Sequence, residues 1–199
     1  MHPGRLKEST DEAVIWRNTT DRYGLIQIVL HWTMATMIAV LLPLGLWMTG
    51  LEYYDPWYTR APDLHRALGV CLAILLIVRI VARGMQVRPR PLATASWQRH
   101  AAGATHWLLY ILPALLVISG YLISTADGRP VDVFGWFEVP ATLHHIDGQE
   151  DIAGDAHFAL AMLLLAVIAI HAAAALHHHL VLKDHTLRRM LTGPPLDKH

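Results

Sequence analysis

The chain has 199 residues, is 54% hydrophobic and is only 16% charged, against about 25% in an average soluble domain. Lysine plus arginine and aspartate plus glutamate each number 16, so the formal net charge is zero and nothing in it favours a nucleic-acid partner. The single cysteine, Cys71, excludes an internal disulfide, and no Cys-x-x-Cys-His run is present for covalent haem attachment.

Residues 1–22 are polar and mixed in charge. They hold no short apolar run with a small-residue cleavage site, so they are read as an N-terminal tail, not a cleaved leader. Four apolar stretches follow, at about 25–50, 64–84, 104–125 and 156–182. Each is about twenty residues or longer, the length a helix needs to cross a bilayer. The expected fold is an all-α membrane protein, a bundle of four transmembrane helices over residues 23–191, with a tail at 192–199.

The distribution of basic residues sets the expected orientation. Arg5, Lys7, Arg17 and Arg22 precede the first span; Arg83, Arg88, Arg90 and Arg99, with no acid among them, lie between the second and third; Lys183, Arg188, Arg189 and Lys198 follow the fourth. The other two connections carry only Arg60, Arg66 and Arg129. Both termini and the middle connection are therefore expected in the cytoplasm. The last outer connection, roughly 126–155, is long, and its segment Val131–Pro140 is too short to span but rich in aromatics. It is expected to lie on the membrane surface as a lid.

Ionisable residues inside spans mark function. His157 and His171 lie fourteen residues apart in the fourth stretch, close to four helical turns, and so share one face with a separation of roughly 21 Å. His31 in the first stretch matches His171 in depth on the inner side, and His65 in the second matches His157 on the outer side. Two pairs, each drawn from two helices, suit two haems held by axial imidazoles. Three or four ligands converging at one depth, as zinc requires, are not expected. The competing reading for any one histidine is a neutral ring bonded to a backbone carbonyl.

Small residues beside the ligands, Gly69, Gly154 and Ala172 to Ala175, suit a flat macrocycle or ordinary tight helix packing. Arg79, fourteen residues after His65, either bonds a propionate of the inner haem or snorkels to the headgroups. Arg66 is a second propionate candidate. His106, near the inner start of the third span, either bonds a propionate, contributes to a quinone site or packs. His177, His178 and His179 end the fourth span beside Lys183, as a solvated helix end or as proton carriers. His178 is the candidate for proton delivery. His144 and His145 on the outer connection have no assigned role.

Three stretches together carry a family resemblance: Tyr23-Gly24-Leu25-Ile26-Gln27-Ile28-Val29-Leu30-His31-Trp32; His65-Arg66-Ala67-Leu68-Gly69 with Arg79 downstream; and His157 followed by His171-Ala172-Ala173-Ala174-Ala175-Leu176 and Lys183-Asp184-His185-Thr186-Leu187-Arg188-Arg189-Met190. Asp127-Gly128-Arg129-Pro130 leading into Phe134-Gly135 adds to it. With these the chain, from Tyr23 to about Leu191, resembles the bacterial cytochrome b561 family of di-haem membrane cytochromes. The resemblance implies four helices, two b-type haems ligated by His31, His65, His157 and His171, a place in the bacterial inner membrane and electron exchange with a quinone such as ubiquinone. The implied partners are membrane lipid, quinone and a periplasmic-side electron donor.

Some family members resemble superoxide oxidases, and others membrane anchors of periplasmic or hydrogenase-type partners. The outer connections carry ten acidic residues against Arg60, Arg66 and Arg129, which suits a cationic donor better than the superoxide anion. The expected function is electron transfer across the membrane between an outer donor and the quinone pool. The alternatives are a superoxide:ubiquinone oxidoreductase and a cytochrome subunit of a larger dehydrogenase.

Overall fold

The computed structural model describes residues 16–92 and 95–192. Most of the N-terminal tail, with Arg5 and Lys7, and the C-terminal residues from 193 on, with Lys198, lie outside the described residues. Four long helices dominate: α1 (Leu25–Met48), α2 (Arg60–Gly84), α3 (Ser96–Ser124) and α4 (Gln149–Leu180). A two-stranded hairpin, β1 (Val131–Val133) and β2 (Phe137–Val139), lies between α3 and α4, and a single turn of helix, α5 (Arg188–Leu191), follows. All four long helices are long and apolar enough to cross a membrane.

Three helices begin earlier than the apolar runs alone predict: α2 at Arg60, α3 at Ser96 and α4 at Gln149. The added turns mix polar and charged residues with apolar ones, and in α2 and α4 they put Asp63, Glu150 and Asp151 in the first turn, where the helix dipole favours acids. Hydropathy marks the part of a helix that fits lipid, not the turns that precede it. Pro43 and Pro113 lie within α1 and α3, as membrane helices tolerate.

The chain divides into two compact units, and each long helix contributes to both. One comprises Met34–Leu76 and Thr105–Ile168. Its core takes Met34, Ile38 and Leu41 from α1, Leu72 and Leu76 from α2, Leu112 from α3, and Leu164 and Val167 from α4. Lipid tails are as apolar as leucine, so the gain from burying these side chains is dispersion and close packing, not removal from water.

The connection from α3 to α4 belongs to this unit and is tied down by polar bonds. Tyr121 Oη donates to the Pro140 carbonyl at 2.8 Å, and Gln149 Nε2 donates to the Leu122 carbonyl at 2.8 Å and the Leu143 carbonyl at 3.1 Å. The segment expected as a plain surface lid is a β-hairpin with Val131 opposite Val139 and Val133 opposite Phe137. Val131 and Val133 are buried while Asp132 and Glu138 are exposed, the alternation of a strand with one covered face. The tip turns through Phe134 (φ 55°) and Gly135 (φ 72°), and Gly135 N–H donates to the Asp132 carboxylate.

The other unit gathers the described residues up to Thr33, Ile77–Ala104 and those from Ala169 onward. Hydrogen bonds join its three segments. Arg90 N–H donates to the Thr20 carbonyl at 2.8 Å, Asn18 Nδ2 to Val87 at 2.9 Å, Arg189 to the Arg90 carbonyl at 3.0 Å and Trp32 Nε1 to Met190 at 2.7 Å.

Candidate functional site

In the unit built from Met34–Leu76 and Thr105–Ile168, α2 presents His65 and α4 presents His157, with ring centroids 6.2 Å apart. In the other unit, α1 presents His31 and α4 presents His171, with centroids 6.4 Å apart. These are the two pairs that depth along the spans predicts, and each joins two helices.

The separations fit two imidazoles on opposite faces of one metal. A metal–imidazole bond is about 2 Å and a ring centroid lies about 1 Å behind its nitrogen, which places the two centroids about 6 Å apart. Among the described residues no three His, Cys, Asp or Glu side chains cluster as a metal site.

The surroundings of His65 and His157 carry the fit further. Both rings line a cavity of about 670 Å³, within the range of about 300–1,000 Å³ usual for cofactor sites. His65 Nδ1 is buried with no hydrogen-bond partner. Such a nitrogen costs about 1–3 kcal/mol. Glycines supply the clearance. A Cβ at Gly45 of α1 would lie 3.0 Å from His65 Cε1, and one at Gly120 of α3 would lie 3.2 Å from His157 Cε1.

Sequence reasoning missed both glycines. It expected Gly69 and Gly154 in this role, but a Cβ at either would meet nothing within 4 Å. Gly69 does line the cavity, as does Arg66. Ala172, Ala173 and Ala174, expected as close neighbours of the His171 site, are exposed on α4.

His157 has a further contact that the sequence did not reveal. Ser119 Oγ of α3 stands 2.9 Å from His157 Nδ1. In the His31–His171 unit, Arg79 Nη2 stands 3.1 Å from His31 Nδ1, so the guanidinium expected at a propionate faces the imidazole itself. His106 is an exposed residue of α3.

At the end of α4, His178 Nδ1 pairs with Asp184 at 2.6 Å. Burial opposes ionisation of Asp184, but hydrogen bonds from His178 and Thr186 outweigh it and hold the carboxyl at about 2. The carboxylate beside His178 therefore stays charged throughout the physiological pH range.

On the α3–α4 connection, His144 and His145 lie Nδ1 to Nδ1 at 2.6 Å, both exposed. Two of the three arginines on the connections read as outer are ion-paired: Arg66 with Asp63 at 3.1 Å and Arg129 with Asp127 at 2.5 Å. The side-chain hydrogen bond from Arg129 holds the Asp127 carboxyl below its usual range. Of the ten acids there, all but Asp55 are exposed.

Comparison with known proteins identifies the family. The family model for prokaryotic cytochrome b561 matches residues 22–193. "Cytochrome b561 homolog 2" of Escherichia coli (strain K12) is 47% identical over 175 residues, covering 87% of this chain and 93% of that protein. "Cytochrome b562" of Cereibacter sphaeroides is 30% identical, covering 85% and 94%. "Probable superoxide oxidase CybB" of Yersinia pestis is 29% identical, covering 85% and 96%. A model matching this much of the chain and a relative this similar place it in one family: the chain belongs to the prokaryotic cytochrome b561 family, as a multi-pass membrane cytochrome of electron transfer.

Proposed function

We propose that the protein holds two haems b and carries electrons across the bacterial inner membrane between a periplasmic-side donor and the quinone pool. The observation that carries this reading is the pair of imidazole couples, with centroids 6.2 Å and 6.4 Å apart. His65 and His157 ligate one haem, and His31 and His171 the other. α4 supplies one ligand to each, fourteen residues apart on a continuous helix.

Bound haem supplies reversible one-electron transfer; ligation, clearance and tuning are the polypeptide's part. An arginine only donates hydrogen bonds, so beside Arg79 the His31 Nδ1 acts as acceptor. Ligation through His31 Nε2 requires the proton on Nδ1. Arg79 then turns to another acceptor, the role a propionate fills. The test is the haem content of the purified protein. About two acid-extractable, low-spin haems per chain are expected. A ratio near one, or high-spin iron that binds carbon monoxide readily, overturns the reading.

The joined basic segments 16–33, 77–104 and 169–192 support a cytoplasmic position for that end of the helices. Quinone reduction takes up protons, and His178 with its charged partner Asp184, beside His177 and His179, is suited to deliver them there. In liposomes with donor outside, the pH should rise inside as quinone is reduced. Alkalinisation on the donor side alone would place the quinone with His65 and His157.

A superoxide:ubiquinone oxidoreductase, suggested by the Yersinia pestis relative's name, is the less favoured reading. Its substrate is an anion, whereas the exposed acids outnumber arginines on the outer connections and two of those arginines are already paired. Rapid reduction of the purified protein by superoxide would reverse that preference.

A further inference from the structure

We infer that Ser119 is a positioning residue for the haem ligand His157: its hydroxyl oxygen accepts the Nδ1–H hydrogen bond, fixes the tautomer that leaves Nε2 for iron, and lowers the potential of that haem. The inference rests on the ligand role proposed above for His157.

Ser119 is 6% exposed on α3. Its Oγ lies 2.9 Å from the Leu115 carbonyl, 3.2 Å from the Leu116 carbonyl and 2.9 Å from His157 Nδ1. A hydroxyl has one proton and two lone pairs. The two carbonyls only accept, so the serine proton is directed to them along its own helix. The oxygen then faces His157 with a lone pair, and Nδ1 must be the donor. With its proton held on Nδ1, the ring presents Nε2 as a free ligand.

The next residue completes the seat. At Gly120 a Cβ would lie 3.2 Å from His157 Cε1 and 3.5 Å from Nδ1, so only glycine lets the ring settle against α3 without displacement. Consecutive residues of α3 thus orient His157, one by a hydrogen bond and one by clearance. The partner His65 differs, because its Nδ1 is buried with no hydrogen-bond partner. The polypeptide therefore tunes this haem from the His157 side. An imidazole that donates from Nδ1 is a more basic ligand, and it favours the ferric over the ferrous state.

The measurement is a potentiometric optical titration of the purified full-length protein, with haem content determined on the same samples. In Ser119→Ala the haem of the His65–His157 pair should rise in midpoint. At the wild-type midpoint its ferric-to-ferrous ratio should fall by about threefold to tenfold, a tenfold change being about 59 mV for one electron. The other haem should not move. Ser119→Thr, which keeps the hydroxyl, should restore the wild-type midpoint. Loss of that haem in Ser119→Ala with retention in Ser119→Thr also supports the inference. An unchanged midpoint at full haem content overturns it, as does a shift that threonine fails to reverse, or loss of the haem in both variants. His157→Ala separates the two levels. If it keeps both haems, the ligand assignment itself fails; if it loses one while Ser119→Ala shifts nothing, only the serine's role fails.

Discussion

Alanine at His65 or at His157 is expected to remove one and the same haem, and alanine at His31 or at His171 the other. Each variant would take away one of the two imidazoles proposed to hold a haem, and no Cys-x-x-Cys-His run is present to hold the macrocycle covalently. Haem content should therefore fall by about half in all four, with a different redox component lost in each couple. The expectation follows from contact, since His65 meets His157 at 6.2 Å and His31 meets His171 at 6.4 Å. Redox titration of the optical spectrum reads it directly. Paired behaviour of His65 with His171 would overturn the assignment. So would retention of both components in any one variant.

Much of this arrangement is legible in the sequence, because membrane spans convert residue number into depth. Counting from the ends of four apolar runs is enough to set His31 level with His171 and His65 level with His157. Depth, however, says nothing about rotation. Ser119, Gly45 and Gly120 lie on α3 and α1, and their relation to the imidazoles depends on how those helices turn about their own axes. Gly69 and Gly154 lie near the ligands along the ligands' own helices, and nearness of that kind does not set clearance. A macrocycle or an imidazole needs clearance from the facing helix, not from the turn beside its own anchor.

The hairpin was legible in principle. Val131-Asp132-Val133 and Phe137-Glu138-Val139 alternate with period two around a glycine-containing tip. The aromatic residues of the same segment suit the membrane interface equally well, which masks that alternation. The early starts of α3 and α4 were hidden for another reason: their first turns carry polar and charged residues, and a hydropathy criterion stops where lipid does.

The tightest test of the seat around His65 and His157 is at its two glycines. Alanine inside a helix normally gains up to about 1 kcal/mol over glycine. If Gly45 and Gly120 were ordinary helix residues, Gly45→Ala and Gly120→Ala would be neutral or stabilising. The structure predicts the opposite sign. A Cβ at position 45 would stand 3.0 Å from His65 Cε1 and one at position 120 would stand 3.2 Å from His157 Cε1, both tighter than ordinary contact.

Alanine should therefore push the ring aside by a few tenths of an ångström, and valine should displace it outright. Overpacking of this kind costs about 1–3 kcal/mol. That corresponds to roughly a fivefold to 150-fold loss of affinity for the haem of this pair. Gly154→Ala is the matched control, because a Cβ there would meet nothing within 4 Å. Haem content and the midpoint of each component are measured for the set. The expected order of haem retention is Gly154→Ala, then Gly120→Ala and Gly45→Ala, then the two valine variants, with the His31–His171 component intact throughout. Full retention of both haems in Gly45→Val and Gly120→Val would show that nothing rigid is held between the imidazoles, and would remove the steric basis for the site.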